Sequence, residues 1–407
     1  WATRTCAVLL LTGLSVAGNV PALRAAGPPG AEGSDGWSAG LPVAGALAGW
    51  PVLPLGDRPP ADTTDVAGHI APLTLTLHVD GEPLRVGYYA NRPFGVVDST
   101  VTRLIVVLHG TLRNADEYQA SVVEAAELAA AAGDSAFIVT PQFLTEEDVA
   151  HWHLDEDYAY WAYMGWRKGD HSLNTIHHPR PFRISSFAVL DTVIYRLAAS
   201  LPNLRRVVLA GHSAGGQFSN LYTATTAIHH WLAEERQIPV RSIVGNPSCY
   251  LYFSPERWVQ GSNWEFAVPS PEEIEDCPGY NDFKYGLDNL NEYASAGADT
   301  LRARYAAREV VYLLGENDTN PYDYYLDVGC AAMLQGVHRR QRGTAYWHFL
   351  AHHFGPEIHD RQHLAIIPNV GHDHEGIFTS DCGLHYIFDA GGCTPPPEAE
   401  WTDATPA

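Results

Sequence analysis

The segment Val207–Gly216 reads VVLAGHSAGG. Its apolar start runs directly into Gly211-His212-Ser213-Ala214-Gly215, and helix-like sequence follows. A G-x-S-x-G turn between strand and helix strains the serine backbone and projects its hydroxyl. The glycines leave room for strand and helix to pass closely. The competing reading is a glycine-rich turn with a buried serine. The flanking strand and helix patterns favour a reactive hydroxyl.

A serine hydroxyl attacks a carbonyl only when a base takes its proton. His372, in AIIPNVGHDHEG after the last apolar run, is the candidate base, with His374 as its rival. A carboxylate must orient the imidazole and stabilise its cation. Asp318 follows EVVYLLG in the run Gly315-Glu316-Asn317-Asp318, and Glu316 and Asp323 are alternatives. Negative charge developing on a substrate oxygen needs donors. The backbone N–H of Ala214 is one candidate. The N–H of Thr111 in His109-Gly110-Thr111-Leu112 is the other, with that of Leu112 close behind. His109, Gly110, His212 and Trp166 are read as lining the substrate pocket. The run Gly165-Trp166-Arg167-Lys168-Gly169-Asp170 offers an aromatic wall and a cation to the site, or equally surface packing.

These residues need a scaffold that brings them to one place. LTLTLHV (73–79) and LRVGYYA (84–90) alternate and are joined by Asp80-Gly81-Glu82-Pro83, a hairpin signal. RLIVVLHG (103–110), SAFIVTP (135–141), LRRVVLA (204–210), VRSIVGN (240–246), EVVYLLG (309–315) and HLAIIPN (363–369) are short apolar runs, as buried parallel strands should be. Helical patterns at 114–132, 185–200 and 214–235 separate them. Alternating strands and helices imply an α/β fold, a mostly parallel sheet flanked by helices, with the hairpin at one edge. Two aromatic-rich intervals, 143–183 and 247–300, break the alternation. They are read as cap insertions over the C-terminal ends of the strands, although a packed side layer also fits.

With these motifs in order, the chain resembles the α/β-hydrolase superfamily over roughly 70–392. The elbow around Ser213, the His-Gly after an early strand, and the acid and histidine loops carry the likeness. GNPSCYLYF, CPGYNDFKYGLDNLNEYA, LLGENDTNP and VGHDHEGIF are similar to exported bacterial serine esterases of this fold. The resemblance implies the chain order Ser213, Asp318, His372 for a catalytic triad. It implies carboxylic-ester hydrolysis through an acyl-enzyme, with amide or peptide hydrolysis as the alternative. Only one glycine follows His109, unlike the glycine-rich oxyanion run of hormone-sensitive-lipase-like enzymes, which leaves the second donor open. A catalytically silent binding module would require a damaged triad, and none is visible.

No cofactor is expected. His372 and His374 are two residues apart, not the four of a zinc-binding helix face, so no metal is expected either. Asn317-Asp318-Thr319 has the form of a glycosylation sequon, but a glycan there would crowd Asp318, so it is expected to be unused. Acidic residues exceed basic ones by 47 to 25, a net charge of −22 over 407 residues, and Lys168 and Lys284 are the only lysines. That balance argues against nucleic acid as a partner and leaves a small-molecule or polymeric ester as the expected substrate. Oligomeric state is not legible.

Residues 1–26 read as a secretory leader: Arg4, an apolar run from Cys6 to Gly18, then small-residue cleavage patterns. The run is short of the roughly 20 residues of a bilayer span. Residues 27–67 form a Gly/Pro-rich lead-in, 68–393 the catalytic domain, and 394–407 a tail. Secreted or periplasmic export would favour disulfides among Cys249, Cys277, Cys330, Cys382 and Cys393. Cys249–Cys277 and Cys382–Cys393 are nearest in sequence, and Cys330–Cys382 is a rival.

Overall fold

The computed structural model describes residues 65–394. The expected leader, most of the lead-in and the tail beyond Thr394 lie outside the described residues. The end of the lead-in, however, is docked: Ala67 is buried and its N–H donates to Asp148 Oδ1 at 2.6 Å.

The main sheet has eight strands: β1 (Leu73–Val79), β2 (Glu82–Ala90), β3 (Arg103–Leu108), β4 (Ala136–Gln142), β5 (Arg206–His212), β6 (Val240–Gly245), β9 (Glu309–Gly315) and β10 (Gln362–Ile367). A separate two-stranded ribbon pairs β7 (Arg257–Trp258) with β8 (Phe266–Ala267). The order across the main sheet is β1-β2-β4-β3-β5-β6-β9-β10. β2 runs antiparallel to both neighbours, and all other pairs are parallel. The edge hairpin and the parallel body therefore stand as the sequence pattern implied.

The central strands are apolar throughout because both faces are covered. Leu104, Val106 and Leu108 of β3 face one core, while Ile105 and Val107 face the other. In β5, Val207 and Leu209 part from Val208 and Ala210 in the same way. The edge strand β1 buries only Leu75 and Leu77, which is why it alternates.

Helix Ser186–Ser200 buries Phe187, Leu190, Val193, Ile194 and Leu197, the face expected from spacing, and Ser185 Oγ caps it by accepting from Phe187 N–H. Two expected helices are shorter than read. The one expected over 114–132 ends at Leu128, because Ala130 adopts φ 52 before a short turn Ala131–Asp134. The one expected over 214–235 is split into Ala214–Thr225 and Ile228–Arg236. Thr226 breaks it by turning extended, with its hydroxyl donating to Asp191 at 2.7 Å and accepting from Ile228 N–H.

Both insertions leave the sheet where strands β4 and β6 end, on the rim that carries the elbow. Their aromatics mostly turn inward. Trp161 and Trp166 are fully buried, and Phe143, Trp166 and Phe187 pack on Phe218 of helix Ala214–Thr225. Among the described residues no helix is long and apolar enough to cross a membrane.

The cysteine pairing differs in part from expectation. Cys382 pairs with Cys393, but Cys277 pairs with Cys330, and Cys249 is free and buried. Cys249 is fully buried just past β6, whereas Cys277 follows helix Pro271–Asp276 and packs beside Ala331, the residue next to Cys330. The Cys277–Cys330 bridge closes a loop of 53 residues and ties the second insertion to the segment after Asp318. Loop-closure entropy makes it worth about 4 kcal/mol, against about 3 for the 11-residue Cys382–Cys393 loop. Replacing Cys277 and Cys330 by serine should therefore lower the urea midpoint more than replacing Cys382 and Cys393. The reverse order would contradict this assignment.

Candidate active site

β5 ends at His212 and helix Ala214–Thr225 begins one residue after Ser213. Ser213 alone makes the turn, at φ 58 and ψ −121. Few non-glycine residues tolerate that region, and the surroundings enforce it. A Cβ on Gly211 would meet Gly215 O at 2.1 Å, and one on Gly215 would meet Leu108 O at 1.9 Å. One on Gly216 would meet Gly245 O at 2.4 Å. Strands β3, β5 and β6 thus press their backbones against the first helical turn. Ser213 N–H donates to Gly245 O at 2.9 Å, which holds the elbow onto β6.

Two further loops converge on Ser213. His372 Nε2 lies 2.9 Å from Ser213 Oγ, and His372 Nδ1 lies 2.7 Å from Asp318 Oδ2. A neutral imidazole protonated at Nδ1 satisfies both: it donates to Asp318 and accepts from the serine hydroxyl. The loops are joined to each other, since Asn317 N–H donates to Val370 O at 2.8 Å and Asn369 N–H to Glu316 Oε2 at 2.8 Å. Asp318 is 3% exposed, and its second oxygen faces Arg339 Nη1 at 3.4 Å. Arg339 also pairs with Asp323 at 2.7 Å. The alternatives are thereby occupied elsewhere. Glu316 holds Asn369, Asp323 holds Arg339, and His374 bonds Ser121 Oγ at 2.9 Å while stacking on Tyr118.

Asn246, directly after β6, ties the three loops together. Its Oδ1 accepts from Gly315 N–H at 2.9 Å, and its Nδ2 faces His212 Nε2 at 3.2 Å and Gly371 O at 3.3 Å. Tyr118 OH meets the other ring nitrogen of His212 at 3.1 Å. Burial, with the His372 and His374 rings nearby, pushes the His212 pKa well below the usual imidazole value. His212 is therefore a neutral spacer behind His372, ring to ring at 4.7 Å.

The loop after β3 is held from several sides. Arg113 donates to Thr111 O at 2.8 Å and forms a fully buried pair with Asp148 at 2.6 Å. Arg167 donates to Thr111 Oγ1 at 2.8 Å, and that hydroxyl donates to Tyr163 OH at 2.9 Å. Among the described residues no hydrogen bond occupies the N–H of Thr111 or of Ala214.

Four residues expected to line the pocket are instead interior supports. His109, Gly110, His212 and Trp166 are all buried. His109 accepts from Phe143 N–H at 3.0 Å through Nε2 and donates to Gly110 O through Nδ1, and burial pulls its pKa down to about 4. Trp166 stacks on Phe143. Gly110 has no room for a side chain, since a Cβ would meet Tyr118 OH at 2.6 Å. Sequence reasoning missed Asn246, Arg339 and Tyr163. Asn246 had a signal, as a polar residue closing an apolar strand, whereas Arg339 on its distant helix had none.

Strand order, elbow and converging loops together define an α/β-hydrolase fold. No protein-family model and no curated protein sequence matches the chain. Solved structures similar to it include LpqC, a poly(3-hydroxybutyrate) depolymerase from Bordetella parapertussis. It is 23% identical, covering 83% of this chain and 95% of that one, with a TM-score of 0.47. Poly(aspartic acid) hydrolase-1 from Sphingomonas sp. KT-1 is 22% identical over 78% of this chain and 99% of its own, with a TM-score of 0.47. An IroE-like serine hydrolase from Shewanella oneidensis is 12% identical over 78% and 80%, with a TM-score of 0.37. At that level the likeness says nothing about substrate.

Two outcomes follow from this geometry. Asn246→Ala should leave the fold intact but speed hydrogen exchange at the Gly315 amide, which loses its acceptor. Unchanged exchange there would remove Asn246 from its linking role. The buried histidines also set an acid limit. His109, His212 and His229 stay neutral in the fold, while the unfolded chain protonates them below about pH 6.5. Between about pH 6.5 and the folded value near 4 at His109, the unfolded state binds more protons, so stability is lost as the pH is lowered. Each such ring contributes about 1.4 kcal/mol per pH unit. The urea midpoint should drop steeply from pH 6.5 to 4.5, and a flat profile would contradict the neutral assignment.

Proposed function

We propose that the chain is an exported serine hydrolase that cleaves carboxylic esters through an acyl-enzyme. The observation carrying this reading is the continuous hydrogen-bonded line from Asp318 through His372 to Ser213, at 2.7 and 2.9 Å. Ser213 Oγ attacks the ester carbonyl as His372 Nε2 takes its proton. Asp318 holds the imidazolium, and Arg339 holds the carboxylate in place from its other oxygen. The N–H groups of Ala214 and Thr111 receive the tetrahedral oxyanion. Collapse expels the alcohol, protonated by His372, and a water activated by the same imidazole releases the acid.

A partly exposed site suits this chemistry. The His372 side chain is 22% exposed, enough for a carbonyl and a water to reach it. Leu112, Met164, Tyr322 and Tyr324 are exposed on the loops that carry Thr111, Tyr163 and Asp318, and they favour an ester with an apolar portion. Two disulfides support an oxidising destination, in keeping with the leader read at 1–26.

Ser213→Ala should abolish both hydrolysis of p-nitrophenyl esters and covalent labelling by a fluorophosphonate. Asp318→Asn should lower kcat by about 10⁴-fold with the fold retained, because the imidazole then adopts the wrong tautomer. Labelling that persists in Ser213→Ala would reject the nucleophile, and near-normal turnover in Asp318→Asn would reject the acid.

A further inference from the structure

Arg167 is an exception among the deeply buried arginines. Arg113 faces Asp148, and Arg339 faces Asp318 and Asp323. Arg342 donates to the carbonyls of Gly336, Ser248 and Asp327. Arg257 donates to those of Ser254, Glu256, Tyr280 and Tyr285. Arg308 donates to those of Thr223 and Thr226. Arg167, 7% exposed, has no carboxylate partner and one well-formed bond, from Nη2 to the Thr111 hydroxyl. A second contact, to Tyr163 O, is long at 3.5 Å. Its Nε is buried without an acceptor, and its Nη1 bonds no described residue.

The guanidinium also lies over the rings of Tyr163 and Trp166, 5.2 and 5.4 Å from their centroids, but ring faces fill none of its open N–H positions, and a buried charge short of acceptors is costly. Asp327 attracts it across space, but that carboxylate is held by Lys284 Nζ and Tyr285 OH at 2.8 Å each and by Gly329 N–H at 3.0 Å. The neighbouring Lys168 is paired with Asp170 at 3.0 Å. The hydrogen-bond direction matters too. Arg167 donates to Thr111, Thr111 donates to Tyr163, and the Tyr163 hydroxyl keeps its own proton to give. Tyr163 also lies beside two guanidinium groups, 5.8 Å from Arg113 and 5.2 Å from Arg167 at its ring centroid.

We propose that Arg167 and Tyr163 form a carboxylate-binding subsite beside the Thr111 loop, so that the preferred substrates are esters carrying a free carboxylate, such as monoesters of dicarboxylic acids. A carboxylate there accepts from guanidinium Nη1 and from Tyr163 O–H. Charge-assisted bonds of this kind are the strong ones, and a guanidinium matches carboxylate geometry. The net charge of −22 repels anionic substrates at large, so a selective anion site has to be local.

The inference rests on the reading of Ser213 as a nucleophile, and the test separates the two. Wild-type protein is given p-nitrophenyl hemiglutarate and its methyl ester, which differ by one charge. The hemiester should be favoured at least 10-fold in kcat/KM, mainly through KM. Arg167→Met should bring that ratio near one, whatever it does to both esters through Thr111, and Arg167→Lys should retain part of it. Binding is read without turnover in Ser213→Ala. There glutarate should raise Tm where glutaramide does not, and adding Arg167→Met should remove the shift. A wild-type ratio near one, or a ratio kept in Arg167→Met, would overturn the subsite. A glutarate shift in a protein that hydrolyses no ester would uphold the subsite and overturn the hydrolase reading instead.

Discussion

Backbone contact at the elbow constrains everything else in this molecule. Main-chain oxygens of Leu108, Gly215 and Gly245 fill the space where side chains of Gly215, Gly211 and Gly216 would stand. Strands β3, β5 and β6 can approach the helix so closely only without those side chains. The strain at Ser213, φ 58, is held by the same contact and by the bond from Ser213 N–H to Gly245 O. A serine hydroxyl fixed by backbone packing has little freedom to turn away. The imidazole and carboxylate can then be positioned against a stationary atom.

The second requirement is electrostatic order in a dry interior. Arg339 sits between Asp318 and Asp323 with 1% of its side chain exposed, so its charge is compensated on two sides. Removing either carboxylate would leave a buried cation short of a partner, which is costly. Because Arg339 engages one oxygen of Asp318, the other is left for His372. His212 contributes by staying uncharged. An imidazolium at that position would repel any positive charge on the His372 ring 4.7 Å away.

The insertions serve mainly as structure. Phe143 and Trp166 hold the helix after Ser213 from one side, and the Cys277–Cys330 bridge secures the segment beyond Asp318. Beside the Thr111 loop the first insertion places a partly buried Tyr163, a deeply buried Arg167 and the exposed side chain of Met164.

Local pattern alone determined the strands, their two-sided burial and the glycine-flanked turn at Ser213, because each depends on side chains within a few positions. It also pointed to Asp318 and His372, since strand ends in a parallel sheet share one rim. Their meeting at hydrogen-bond distance, and the rejection of Glu316, Asp323 and His374, came from the fold, which gives each rival a different partner. The same holds for Cys277 choosing Cys330 over Cys249, and for the burial of His109, His212 and Trp166, whose types read equally well as pocket lining. Asn246 and Arg339 act across strands and helices far apart in the chain. Pairings of that range are set by how elements pack, and packing leaves no periodicity in a linear sequence.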